Sequence, residues 1–392
     1  MLTETIKLTA KFKLKETPKG LDDLFSVYRE IVNFLISYAH ENNITSFYRL
    51  KKETYKELRR GYPQLPSHYI YTACQMATAV YKSYRKRKRK GKANGKPVFK
   101  KDVIMLDDHL FRLDLEKGVI KLSIPNGRLN LEFYPAKYHE KFKTWKVGQA
   151  WLVRTPKGVF INVVFSKEVE VRDPKAFVGV DLNENNVTLS LPNGEFVQII
   201  THEREIRTGY FVKRRKIQKK LKTGKKRKEL LEKYGERERN RLTDLYHKLA
   251  NKIVELAEKY GGIALEDLTE IRESIRYSAE MNGRLHRWSF RKLQSIIEYK
   301  AKLKGIKVVF VNPAFTSSLC PICGGKLSPN GHRVLKCKCG FEADRDVVGS
   351  WNIRLRALKM WGVSVPPESP PMKTGGGKPT RYEINTLHAL NG

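Results

Sequence analysis

Apolar and polar side chains alternate along TETIKLTAKFKL, residues 3–14, with a period of two, which predicts a half-buried strand. From Leu21 the period lengthens. Leu21, Leu24, Phe25, Tyr28 and Ile31 fall on one face of a helix, and Leu65-Pro66 marks the entry to another helix from Ser67. The uncharged span 63–81 is interrupted by Pro66, Ser67, His68, Thr72 and Gln75, so it reads as a buried or ligand-facing helix. After a basic tract, VIMLDDHLFRLDLEKGVIKLSI, LNLEFYP, AWLVRT and VFINVVFSKEV return to strand patterning between Gly, Asn and Pro turns. These strands and the first one predict a β-barrel-like domain over 1–18 and 98–172, interrupted by a helical insertion over 19–97.

The pattern resets at residues 171–175, where AFVGVDL begins a second, α/β domain. VTLSL and EFVQII follow as short strands, then a long basic helical region. There Leu242, Leu245, Tyr246, Leu249, Ile253 and Leu256 make one apolar stripe, stopped by Gly261-Gly262. IALEDL, a helix over about 289–304, the strand KVVFV and a last helix from Asp346 complete the domain, assigned to 173–315 and 344–363. The polar, glycine-rich cysteine segment 316–343 interrupts it. Beyond Val363 the chain becomes PPESPPMKTGGGKPT, and its Pro, Gly and Ser content predicts a disordered tail over 364–392.

Composition narrows the function. Seventy-seven Lys and Arg against 41 Asp and Glu give a formal charge of +36, an excess that calls for a polyanionic partner. No run of eighteen apolar residues occurs, and MLTETIKLTAKFKL lacks a signal-peptide core, so nucleic acid is favoured over membrane and a cytoplasmic setting is expected. Residues 82–101 carry eleven basic side chains and no acid, and residues 213–228 carry eleven in sixteen. Arg85, Lys86, Arg87, Lys88, Arg89 and Lys90 in the first, and Lys213, Arg214, Arg215 and Lys216 in the second, are the candidate phosphate contacts. Tyr69, Tyr71, Tyr81 and Tyr84 are available to stack on bases or to pack in a core.

Two constellations carry chemistry. Asp181 closes the apolar strand FVGVD, Glu266 closes IALE, and Asp346 sits at the entry to the final helix. Three carboxylates from three elements suit hard, oxygen-seeking Mg2+, and two such ions about 3.5 to 4 Å apart serve phosphodiester cleavage. Asp344 and Asp346 equally suit helix capping. Cys320, Cys323, Cys337 and Cys339 lie as CPIC and CKC with thirteen residues between and glycines alongside, the spacing of a structural four-thiolate Zn2+ site. His332 is the alternative donor there. Cys74 has no partner nearby and reads as a small core residue.

In this order, AFVGVDL, IALEDL, CPIC to CKCG and DRDVVGSWNI resemble the split RuvC nuclease of TnpB proteins, the OrfB products of bacterial and archaeal insertion sequences, related to type V CRISPR effectors. LPSHYIYTACQMATAVYKSYRKR resembles that family's amino-terminal region. The resemblance implies an RNase H-like (RuvC) nuclease domain with an inserted zinc knuckle, preceded by a wedge-like barrel. It implies Asp181, Glu266 and Asp346 as a catalytic triad binding two Mg2+ ions, with Asp344 the alternative third acid, and one structural Zn2+ on the four cysteines. The implied activity is RNA-guided DNA endonuclease, with a guide RNA from the transposon end and a double-stranded DNA target bearing a short flanking motif. It implies a prokaryotic, nucleoid-associated protein and leaves a homodimer open. Competing readings are a strand-transfer transposase and a catalytically inactive RNA-guided regulator. The chain departs from the family at Asn183, in place of glycine, and at Val348, Gly349 and Ser350 after DRD.

Overall fold

Alternation along the first segment is realised as strand β1 (Leu2–Lys13), which buries Ile6, Ala10 and Phe12 and exposes the lysines between them. The structure is a computed structural model that describes residues 2–125, 127–269, 278–331, 333–362 and 379–384. It divides into two units, one of Thr5–Glu168 and one of residues 1–4 with 169–392.

In the first unit, helix α1 (Gly20–Glu41) buries Leu21, Leu24, Phe25, Tyr28 and Ile31, the face that the spacing predicts. Helix α2 (Phe47–Gly61) does not follow from the sequence reading. It buries only Leu50, Thr54 and Leu58, one residue per turn within a polar segment, and Ser46 caps it by accepting from the Arg49 N–H. Helix α3 (Ser67–Arg89) starts after Pro66 and runs through the first half of the basic tract. Tyr69 and Tyr81 are buried in its packed face, which removes them from base stacking; burial also pushes the Cys74 thiol up to about 12. Strands β2 (Val103–Leu106), β3 (Phe111–Asp114), β4 (Val119–Ile124), β5 (Gly127–Glu132), β6 (Lys146–Thr155) and β7 (Gly158–Val171) follow. They form two sheets, in the orders β1-β7-β6-β2 and β3-β4-β5, with a bridge between Leu14 and Phe133. The two ladders are joined where β1 meets β5, by backbone hydrogen bonds from the Lys15 N–H to the Glu132 carbonyl and from the Tyr134 N–H to the Lys13 carbonyl, each at 2.9 Å.

In the second unit, β8 (Ala176–Leu182), β9 (Asn186–Ser190) and β10 (Phe196–Ile200) make an antiparallel meander. Helices α4 (Glu203–Lys220) and α5 (Lys225–Ala257) follow, then β11 (Gly261–Glu266), α6 (Ala279–Arg287), α7 (Phe290–Leu303) and β12 (Lys307–Val311). A small antiparallel sheet of β13 (Ser328–Pro329), β14 (Val334–Lys336) and β15 (Glu342–Asp344) leads directly into α8 (Arg345–Met360). Most of the expected tail lies outside the described residues, but Thr380–Glu383 forms β16, paired in parallel with β10, and so corrects the expectation of disorder there.

The large sheet has the order β12-β11-β8-β9-β10-β16, with β8, β11 and β12 parallel. β8 is buried almost throughout because both of its faces are covered. Leu242, Leu245, Tyr246, Leu249 and Ile253 of α5 pack with Leu293 and Ile297 of α7 in the core on one side, while Ile353 and Ala357 of α8 pack with Phe177 and Ala264. A Cβ at Gly179 would lie 2.0 Å from the Ser350 carbonyl oxygen, so α8 rests directly on the backbone of β8. Among the described residues no helix is long and apolar enough to cross a membrane.

Candidate active site

Strands β8 and β11 run in parallel with Val180 opposite Leu265, so the next residues, Asp181 and Glu266, emerge side by side at the carboxyl edge of the sheet. That edge is where open α/β sheets commonly bind ligands. Helix α8 brings Asp346 to the same place in its first turn. Asp181 is 7% exposed, and burial together with the negative charges of Glu266 and Asp346 pushes its carboxyl up to about 8. Burial also raises Glu266, opposed by a hydrogen bond from Thr316, and raises Asp346, opposed by Arg333. Asp181 thus meets the negative charge of both other acids in a site with little solvent. A divalent cation relieves that repulsion, and an all-carboxylate donor set fits a hard ion such as Mg2+.

Each carboxylate is held by a neighbour. The Asn183 side-chain amide donates to Asp181 Oδ2 at 2.9 Å, so Asn183 has a direct part in holding this acid. The Thr316 hydroxyl donates to Glu266 Oε1 at 2.5 Å, while Gln294 donates to the Glu266 carbonyl at 2.7 Å. Arg333, just before β14, pairs with Asp346 Oδ2. Asn352, 8% exposed on α8, donates to the carbonyls of Thr316 at 2.7 Å and Leu319 at 2.8 Å, so one helix carries Asp346 and fixes the loop that orients Glu266. A Cβ at Gly349 would stand 3.1 Å from Asp181 Oδ2, which accounts for a small residue at that turn.

The two acids of DRD have different partners. Asp344 is the N-cap of α8, its Oδ1 accepting from the Asp346 N–H at 2.8 Å, and its other oxygen lies 3.3 Å from Arg333 Nε. Asp346 is the one whose charge acts on Asp181. Neither Thr316 nor Arg333 carried a sequence signal, because both act through contacts with residues distant along the chain.

The four cysteine sulfurs lie within 4.8 Å of one another, with Cys320 to Cys339 at 3.7 Å and Cys323 to Cys337 at 3.4 Å. Four thiolates about 2.3 Å from a tetrahedral zinc stand about 3.8 Å apart, so this set fits Zn2+ with no open position. Burial pushes the Cys320 thiol up to about 12, so a buried thiolate here needs a cation beside it. Gly324 at φ 72° and Gly340 at φ 90° make the turns, and the Gly325 N–H donates to Cys323 Sγ at 3.4 Å. His332 lies outside the described residues.

The basic tracts occupy helix ends. Lys86, Arg87, Lys88, Arg89 and Lys90 are exposed at the carboxyl end of α3, and Lys213, Arg215 and Lys216 are exposed on α4. Arg214 is instead engaged by Glu238, which makes it a link between α4 and α5.

Comparison with known proteins follows these elements. Residues 160–271 match a family described as "Probable transposase", residues 290–353 match "Cas12f1-like, TNB domain", and residues 24–123 match "Uncharacterized protein MJ0013 family". Over 256 residues the chain is 38% identical to "TnpB-like protein MJ0751" of Methanocaldococcus jannaschii, covering 62% of this chain and 92% of that one. The chain belongs to the TnpB-like family. The similarity extends to a CRISPR-associated endodeoxyribonuclease Cas12f1 of Sulfoacidibacillus thermotolerans, 38% identical over 115 residues that cover 28% of this chain and 26% of that one. In fold, the TnpB-like chain is similar to a mini-RNA-guided endonuclease, CRISPR-Cas_phi3, with a TM-score of 0.54 at 11% identity over 90% of this chain and 92% of that one. Asp181 and Glu266 fall in the transposase match of this TnpB-like chain, and Thr316, the four cysteines and Asp346 fall in the Cas12f1-like match.

Proposed function

We propose that this TnpB-like protein is an RNA-guided DNA endonuclease whose RNase H-like (RuvC) site is formed by Asp181, Glu266 and Asp346. The observation that carries the reading is the cluster itself: two buried carboxylates and one half-buried one, from two adjacent parallel strands and one helix start, in a chain of formal charge +36. The antiparallel meander followed by parallel β11 and β12 supports an RNase H-like topology. When bound, two Mg2+ ions supply activation of water and neutralisation of the charge that builds on the scissile phosphate.

The chain's own residues set the geometry for this. Asn183 and Thr316 hold one oxygen each of Asp181 and Glu266, leaving the second oxygen of each to face a ligand. Arg333 holds Asp346. The four cysteines hold one structural Zn2+, and the short strands beside them fix the path of the backbone into α8. The exposed cations of α3 and α4 follow phosphate backbones without reading bases, which suits a protein whose target sequence is read by guide pairing. The partners are a guide RNA from the transposon end and a double-stranded DNA carrying a short flanking motif, in a prokaryotic cytoplasm.

The test combines two measurements. RNA that co-purifies with the chain is sequenced, and a discrete species from the end of the neighbouring element is expected. With that RNA and a matching target, Asp181→Ala and Glu266→Ala should each abolish cutting while target binding persists. Unaltered cutting would refute the assignment, and joined rather than hydrolysed DNA ends would select strand transfer instead.

A further inference from the structure

A second cluster of metal-ligating side chains lies in the unit of Thr5–Glu168, apart from the acids and the cysteines. His68 is in the first turn of α3, and Asp107 and His109 follow β2. The His68 Nδ1 is 2.6 Å from Asp107 Oδ2, and the backbone N–H of His109 donates to the other oxygen of the same carboxylate at 3.1 Å. The two imidazoles stack at 3.9 Å with 16° between their planes. One donor atom from each of the three residues lies within 4.8 Å of the others. In a chain with 77 Lys and Arg, the only ion-pair partner of the 13%-exposed Asp107 side chain among the described residues is an imidazole.

We propose that His68, Asp107 and His109 form a second transition-metal site, selective for Zn2+ over Mg2+. Two imidazole nitrogens and one carboxylate oxygen are a borderline donor set, which zinc accepts and magnesium does not favour. Ligation at about 2.0 to 2.2 Å requires the donors to draw together. His109 allows this, since its side chain is 63% exposed and swings without disturbing a core. Asp108, whose Oδ1 is 3.2 Å from His109 Nδ1, sets a further carboxylate beside the ring. The ion replaces the proton held between His68 and Asp107, and it ties the start of α3 to the turn after β2.

Zinc is measured by equilibrium dialysis on the full chain with saturating Mg2+ present. The wild type should hold one more zinc per chain than the His68→Ala/His109→Ala variant. Equal stoichiometry overturns the site and leaves a plain His–Asp ion pair. A measurement on the wild type alone covers a variant that fails to fold. Co2+ loaded in place of zinc should produce paramagnetically shifted, exchangeable imidazole N–H resonances that His109→Ala reduces in number. No such resonances, or their loss on adding Mg2+, overturns the proposal.

Discussion

The hydroxyl of Thr316 donates to Oε1 of Glu266 across 2.5 Å, although fifty residues separate the two in sequence. The Thr316 carbonyl in turn accepts from Asn352 on α8, the helix that carries Asp346. Two of the three acids are therefore positioned by one rigid element. Thr316→Val keeps the shape and removes the hydrogen bond, which is worth about 1.5 to 3 kcal/mol when the acceptor is charged. Cutting should slow by about tenfold or more with binding intact, and Thr316→Ser should restore most of it.

Asp181 makes the metal-free chain sensitive to pH. Its carboxyl is raised in the folded state to about 8, by burial first and then by Glu266 and Asp346. Between about pH 4 and about pH 8 the unfolded chain has lost a proton that the folded chain retains, so stability falls as pH rises through this window. Asp181→Asn should flatten that fall and stabilise the metal-free protein near neutral pH by about 1 to 2 kcal/mol. Mg2+ should stabilise the wild type more at pH 8 than at pH 5. Denaturant melts at the two pH values, with and without Mg2+, check the sign.

Contact between β8 and α8 leaves no room for a side chain at Gly179, where a Cβ would lie 2.0 Å from the Ser350 carbonyl oxygen and 2.8 Å from the Arg354 backbone nitrogen. Gly179→Ala should destabilise the fold by about 3 kcal/mol, the upper end of ordinary overpacking. It should also weaken cutting, because α8 shifts together with Asp346. A melting temperature equal to that of the wild type would contradict this packing.

Removing zinc should loosen the path into α8. Cys320→Ser, or chelation, is expected to lower the melting temperature by several degrees, about the effect of a few kcal/mol in a unit of this size. Hydrogen exchange should accelerate between residues 316 and 346 more than in α5. Unchanged exchange there would count against a structural site.

Neutralising the exposed Lys86, Lys88, Arg89 and Lys90 should lower nucleic-acid affinity uniformly across sequences. Each lost phosphate contact should reduce the slope of log affinity against log salt by about 0.7 to 0.9. Changing Arg214, which Glu238 already engages, should cost stability rather than slope.

Much of this chain was legible as pattern. The period-two alternation before residue 14, the helical faces of α1 and α5, the apolar runs ending in Asp181 and Glu266, and the cysteine spacing are local features. Burial on one face or both imposes such spacings, so the spacings reveal the burial. Helix α2 escaped notice because Leu50, Thr54 and Leu58 are too sparse a stripe. The strand Thr380–Glu383 was hidden because a polar edge strand gains its order from pairing with β10, not from its own composition.

The sequence by itself determined which side chains could ligate metal and that the chain carries an excess of positive charge suited to a polyanion. Only the tertiary structure decided that Asp181 and Glu266 stand on neighbouring strands, that Asp344 caps α8 while Asp346 acts on the other acids, and that Thr316, Asn183 and Arg333 hold the three carboxylates. The physical reason is range. Periodicity records a residue's relation to its own helix or strand, whereas strand order and side-chain hydrogen bonds join positions far apart along the chain.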